Sequence, residues 1–271
     1  MTRIAVIGGG RIGEALISGL LQANHAVRDL VVAESHQKRA EELAAEYSVR
    51  VTDTADAAEG ADVIVIAVKP ADVESALTEV SKVDLDGERE QMLVSLVAGV
   101  PTGYYETRLP AGFPVVRVMP NTPMLVGEGV SVLAPGRHVK PAHLETVRGV
   151  LGSVGKVVTV RESQIDAVTA VSGSGPAYFF LVAEAMVDAG VAMGLTRATA
   201  TELVVQTMVG AGAMLDRSGE SATELRAAVT SPGGTTAAAV RELESNGLRR
   251  AFFDALEAAK DRSAELGASS E

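Results

Sequence analysis

Three glycines stand at the spacing Gly8-x-Gly10-x-x-Gly13, between an apolar run and a helical one. That spacing serves dinucleotide binding. The first glycine makes a tight turn, the second lets backbone approach a pyrophosphate, and the third lets a helix pack on a strand. Far along the chain, Ser231-Pro232-Gly233-Gly234-Thr235-Thr236 sets turn residues before an Ala-rich helical run. Amides in the first turn of a helix lack intrahelical partners, so a helix start preceded by glycines can hold a small anion. Taken alone, the same segment reads equally as a tight loop with a capped helix.

Glu34 ends the second apolar run, at the distance from the glycines expected of an acid that bonds the adenosine ribose. Taken alone it favours NAD(H), because a carboxylate repels a 2′-phosphate. Ser35, His36, Lys38 and Arg39 follow at once and could hold that phosphate. Lys38 and Arg39 read equally as solvated helix residues, so NADH versus NADPH stays open. Val68-Lys69-Pro70 and Ala98-Gly99 each close a strand, and open α/β folds bind ligands at that edge. Lys69 could also be an ordinary edge lysine. Met119-Pro120-Asn121-Thr122-Pro123 fixes a rigid turn that either presents the Asn121 amide or is purely structural. The glycines of Ser172-Gly173-Ser174-Gly175-Pro176 fit close packing as well as a site role.

Residues 3–7, 30–33, 63–68, 92–97 and 115–119 read as strands, with 130–134 and 157–160 extending the edge of their sheet. Helical runs over 14–23 and 37–47 alternate with them. Such alternation implies right-handed crossovers and a doubly wound sheet, a Rossmann-type α/β domain over residues 1–160. Residues 161–271 read as an all-α domain. Its helices are expected over 176–193 and 197–216, after the capping-box spacing of Ser221-x-x-Glu224, after Thr235, and from 248 past 260. Between residues 177 and 193 the only charges are Glu184 and Asp188. A helix apolar nearly all round must be buried on nearly all sides, and a domain this short cannot surround two of them. The expectation is a homodimer with helices of two chains packed together. The Ala/Gly/Thr content and flanking charges make a membrane helix the poorer reading.

A formal charge of −11 with no basic run argues against a nucleic-acid surface. The absence of cysteine excludes disulfides, thiolate metal sites and a Cys nucleophile. His25, His36, His138 and His143 lack metal-binding spacing, so no metal is expected. The strand pattern starts by Arg3, leaving no room for a signal peptide. No apolar run is expected to reach transmembrane length, which points to a cytoplasmic protein without a membrane partner.

With the fingerprint followed in order by "AVKP", "RVMPNTP", "AVSGSGPAYFF" and "TSPGGTT", the chain resembles pyrroline-5-carboxylate reductase over nearly its whole length. The resemblance implies a Rossmann domain, a helical domain that interlocks in a dimer, and assembly of five such dimers into a ring. It also implies reduction of a small-molecule substrate, 1-pyrroline-5-carboxylate, to L-proline with NADPH or NADH. Gly8, Gly10, Arg11, Ile12 and Gly13 would meet the pyrophosphate, and Ser35 with its neighbours the adenosine end. Ala67, Val68, Lys69, Pro70, Ala98 and Gly99 would line the nicotinamide side. Ser231, Gly233, Gly234, Thr235 and Thr236 would hold the substrate, with the Thr236 hydroxyl near the ring nitrogen as the catalytic contact. Glu162 would lie at the substrate site too. The family usually favours NADPH, and Glu34 is the departure from that pattern.

A β-hydroxyacid dehydrogenase also joins a Rossmann domain to a helical one, but uses a catalytic Lys on the first long helix of the second domain. Residues 176–193 contain no Lys. A non-catalytic dinucleotide sensor would keep the fingerprint but have no use for the Gly-Gly-Thr-Thr loop.

Overall fold

The computed structural model of the chain describes residues 2–85 and 91–268. Contacts divide it into two compact units, one of residues 1–174 and 259–271, the other of residues 175–258. The first unit thus runs past residue 160, the limit expected from the sequence. The reason is that Ile165 buries itself against Val132 and Ala134 of the sheet. The last turns of the final helix also return to this unit, where Ser263 donates a hydrogen bond to Asp166 at 2.8 Å.

Among the described residues, the first unit holds an eight-stranded sheet in the order β3-β2-β1-β4-β5-β6-β7-β8. Its strands are β1 (Ile4–Ile7), β2 (Leu30–Ala33), β3 (Arg50–Thr52), β4 (Val63–Ile66), β5 (Met92–Ser95), β6 (Val115–Met119), β7 (Gly129–Pro135) and β8 (Gly155–Thr159). The first six are parallel and follow the dinucleotide-binding order, with the switch point between β1 and β4. β7 pairs antiparallel with β6, and β8 pairs parallel with β7. The 120–128 connection is too short for a parallel crossover, so the chain must turn back on itself. β3 was not expected from the sequence. It is a short edge strand with an exposed Arg50, so it lacks the apolar run that marks its neighbours.

Side chains alternate across the sheet, which explains why β1 is apolar throughout. Ile4 and Val6 join one core with α1 (Arg11–Gln22), α2 (Gln37–Tyr47) and α6 (Pro141–Leu151). Ala5 and Ile7 join the other, with α3 (Thr54–Ala58), α4 (Val73–Val80) and α5 (Thr102–Glu106). A short helix α7 (Ile165–Val168) follows β8 and runs into a π turn, Thr169–Gly173.

The second unit comprises α8 (Gly175–Ala192), α9 (Arg197–Arg217), α10 (Ala222–Ala228), α11 (Thr235–Ser245) and the first part of α12 (Leu248–Ala268). Thr196 caps α9, its hydroxyl accepting the Thr199 N–H at 3.2 Å. Ser221 and Glu224 form the capping box of α10. α8 and α9 pack closely where a Cβ on Gly190 would lie 3.2 Å from that of Ala200. The buried core here is small, Val187, Ala200 and Val204.

The expectation that no apolar run reaches transmembrane length is corrected. The continuous helical run Glu162–Ala192 has the length and composition of a membrane span, with 17% of its most apolar window buried. The sequence places the helix start at Pro176, but a π turn, Thr169–Gly173, already leads up to α8, with a bend at Ser174 alone between them.

Candidate active site

At the carboxyl ends of β1, β2 and β4 lies a cleft of about 1270 Å³. It forms where the sheet order reverses, which leaves a crevice between diverging loops. Gly8, Gly10, Arg11, Glu34, Ser35, Ala67, Val68 and Lys69 line it, as do His36, Lys38 and Arg39. Ile12 and Gly13 lie behind this lining, Ile12 packed on the core and Gly13 buried. Pro70 opens a 3-10 turn after β4, and Ala98-Gly99 follow β5; these three are not part of the lining.

The glycines differ in what they exclude. Gly8 has φ +107°, and a Cβ there would lie 2.8 Å from the Ala67 carbonyl. A Cβ on Gly13 would sit 2.0 Å from the Gly8 oxygen, so α1 could not approach β1 with any other residue. Among the described residues, a Cβ on Gly10 would meet nothing within 4 Å beyond its own neighbours in the chain. Gly10 is the N-cap of α1 and no side chain caps that helix. Open space above an uncapped helix N-terminus is what a pyrophosphate requires, so the residues present fit a dinucleotide.

Glu34 points back into the loop. Its Oε2 accepts the Gly9 N–H at 3.0 Å, and its Oε1 accepts the His36 N–H at 2.8 Å. Burial pushes its pKa up, but those N–H groups and the His36 ring outweigh burial and hold it below the ordinary carboxylate value. Arg39 Nε donates to the Gly9 carbonyl at 2.9 Å and its guanidinium pairs with Glu14 and Glu42.

Further along the sheet edge, Ser95 and Tyr105 share a buried hydrogen bond of 2.7 Å, and Ser95 Oγ accepts the Val97 N–H at 3.3 Å. This fixes the strand end that leads to Ala98 and to Gly99, whose φ is +80°. Burial pushes the Tyr105 phenol up to about 12, so it stays protonated and able to donate. Glu162 lies apart from the dinucleotide cleft. Its carboxylate accepts the Thr102 N–H at 2.7 Å and the Thr102 hydroxyl, and it faces Arg117 at 3.4 Å. It lines a second cleft, of about 570 Å³, with Tyr104, Arg108 and Arg137. Asn121 spends its side chain on the backbone, donating to the Ser172 carbonyl at 3.1 Å and accepting the Val130 N–H at 2.9 Å. Gly173 lies against the tip of the Met119 side chain, whose Cε would be 2.4 Å from a Cβ there.

In the helical unit, the Gly234 N–H closes a turn onto the Ser231 carbonyl at 3.0 Å, and Gly233 has φ +72°. Gly234 is the N-cap of α11 and no side chain caps it. Thr235 and Thr236 occupy the first turn, ahead of the Ala238 N–H bond to the Gly234 carbonyl at 3.1 Å. Their amides belong to the set that has no intrahelical acceptor. The loop therefore presents main-chain N–H groups of the kind that can hold a small anion.

Sequence reasoning missed Arg39's bond to Gly9, the Ser95–Tyr105 pair and the partners of Glu162. Each joins residues distant in sequence, and no local pattern marks such pairings.

Residues 162–266 match the family model for pyrroline-5-carboxylate reductase dimerisation. Residues 3–99 match that for coenzyme F420-dependent NADP oxidoreductase. The chain is 55% identical to a pyrroline-5-carboxylate reductase of Mycobacterium tuberculosis, over 98% of this chain and 97% of that one. It is 41% identical to the Pseudomonas aeruginosa protein of the same name, over 97% and 96%. Among solved structures, the pyrroline-5-carboxylate reductase of Coxiella burnetii superposes with a TM-score of 0.93 at 35% identity, covering 98% of both chains. The Plasmodium falciparum pyrroline carboxylate reductase, solved with NADP bound, superposes with a TM-score of 0.85 at 31% identity, again over 98% of both.

Proposed function

The chain belongs to the pyrroline-5-carboxylate reductase family, and we propose that its fingerprint cleft holds the dinucleotide while its 231–236 loop holds the substrate. The chain reduces 1-pyrroline-5-carboxylate to L-proline with NAD(P)H, the last step of proline biosynthesis. The observation that carries this reading is the near full-length identity to a curated reductase. NADP(H) is the dinucleotide we favour, because a relative of the same fold was solved with NADP.

When bound, the cofactor supplies the hydride that the imine carbon receives. The chain's own groups bind and orient. Amides at the start of α11 take the substrate carboxylate without any Arg or Lys, the positive end of the helix dipole adding to the attraction. The Thr236 hydroxyl meets the ring nitrogen. The reacting form is the protonated imine, formed in solution, so no strong acid is required of the protein. Positioning then does most of the work, and well-oriented groups recover about 7–11 kcal/mol of a barrier. The helical unit joins two chains into a homodimer, and a ring of five dimers is the assembly we propose.

An absorbance assay at about 340 nm, where reduced nicotinamide absorbs, tests this with pyrroline-5-carboxylate and each cofactor in turn. Turnover with a lower KM for NADPH is expected. Absence of turnover with both cofactors overturns the reading, and a lower KM for NADH overturns the cofactor choice alone.

A further inference from the structure

Gly9, an unconstrained position in the fingerprint spacing, is gripped from both sides. Its N–H donates to Glu34 and its carbonyl accepts from Arg39. Glu34 follows β2 and Arg39 lies in α2, so the segment beside the adenosine end is tied to the loop beside the pyrophosphate. Packing reinforces the tie, since a Cβ on Gly9 would fall 2.3 Å from Leu43 Cδ1 in α2.

Both charged side chains are engaged by the protein itself. Arg39 commits Nε to Gly9, one terminal nitrogen to Glu14 and the other to Glu42. A guanidinium recognises phosphate through a two-pronged face, and here each of the three nitrogens already holds a protein acceptor, so a phosphate would have to compete with Glu14 and Glu42. Each Glu34 oxygen already accepts a backbone N–H, and its side chain is 10% exposed. Its charge is balanced by those dipoles, which blunts the repulsion that an acid at this place exerts on a 2′-phosphate.

We propose that Glu34 and Arg39 are positioning residues that clamp the Gly9 peptide and set affinity for NADPH and NADH alike, without choosing between them. This rests on the cleft being the dinucleotide site. It also accounts for an acid at residue 34 beside a cleft for which we favour NADP(H).

The test combines binding with a measurement on the cofactor-free protein. Kd for each dinucleotide is read from nicotinamide fluorescence, and amide hydrogen exchange is followed in residues 8–13 of the apoprotein. Arg39→Ala is expected to raise both Kd values by the same factor, about tenfold for a lost charge-assisted bond, and to speed exchange at Gly9 and Gly10. Arg39→Lys, which keeps one donor for the Gly9 carbonyl, should recover part of both effects. Glu34→Gln should weaken both cofactors together. Loss confined to NADPH in Arg39→Ala would make Arg39 a phosphate ligand and overturn the proposal. So would a gain confined to NADPH in Glu34→Gln, or unchanged exchange in both variants. If the wild type bound neither dinucleotide, the reading of the cleft would fail first, which is a separate and recognisable outcome.

Discussion

In β1 and β4 no residue is more than 2% exposed, whereas Phe179, Phe180 and Leu181 at the start of α8 stand 65%, 66% and 66% exposed. Both segments are apolar, and both belong to one chain. The sheet unit covers its strands with its own helices on two faces. The helical unit buries only Val187, Ala200 and Val204 as a core and leaves large side chains of α8 and α9 uncovered. Apolar surface left open at that scale marks an interaction site. The dimerisation match over 162–266 says what covers it, a second copy. One unit therefore folds on information within the chain, and the other is completed by association.

The most severe way to break this contrast is to place a charge on the open face. Phe180→Asp should abolish the dimer, since an unpaired buried carboxylate costs several kcal/mol. Sedimentation would show monomers, with activity falling by more than about 100-fold if substrate binding needs the assembled unit. The corresponding charge at exposed Arg50 of the sheet edge should leave assembly intact. A dimeric, active Phe180→Asp would end the argument that α8 is the shared face.

Next in size is Thr236→Ala, expected to lower kcat by about 10- to 1000-fold, the range for losing one or two polar contacts at a reacting centre. Because the hydroxyl caps nothing in α11, the folded state should not notice. An unchanged kcat removes Thr236 from the mechanism.

The third test separates fold from ligand within one loop. Gly13→Ala forces a Cβ against the Gly8 carbonyl, and should lower stability by about 1–3 kcal/mol as an overpacked contact does. Gly10→Ala meets only open space. It should lower Tm much less than Gly13→Ala does, by no more than the modest cost of Ala at an N-cap, yet raise the cofactor KM by roughly tenfold or more. If both variants lost stability equally, the space above Gly10 would not be kept open for a ligand.

These contrasts also show what the sequence made legible. The five apolar strands and the Gly8-x-Gly10-x-x-Gly13 spacing were readable because burial on two faces demands continuous apolar runs. The open faces of α8 and α9 were readable for the converse reason, as too much apolar surface for one chain. β3 was not, because an edge strand with Arg50 needs no such run. The π turn at 169–173 was hidden by glycines that normally end helices. Glu34 was identified as a residue that matters, but its direction was not. Spacing says where a carboxylate is, while only three-dimensional neighbours say which N–H groups claim it.

The smallest expected effect concerns that carboxylate, compared with one in the helical unit. Glu34 and Glu244 are both held below their ordinary pKa. For Glu34, burial opposes the shift and the His36 and Gly9 N–H groups outweigh it; for Glu244, the bond to Arg249 dominates. A carboxylate with a depressed folded pKa stabilises fully above its unfolded value of 4.5. That contribution fades as pH falls through the lower folded value. Glu34→Gln and Glu244→Gln should therefore lower Tm slightly near neutrality and converge on the wild type in acid below that range. Salt should then separate them. At about 1 M ionic strength screening acts over ~3 Å, so the exposed Glu244–Arg249 pair should lose its effect. Glu34 is held by main-chain donors in a partly closed loop, and its difference from the variant should persist. If salt erased both differences alike, Glu34 would be behaving as a surface charge and the Gly9 clamp would lose its acidic half.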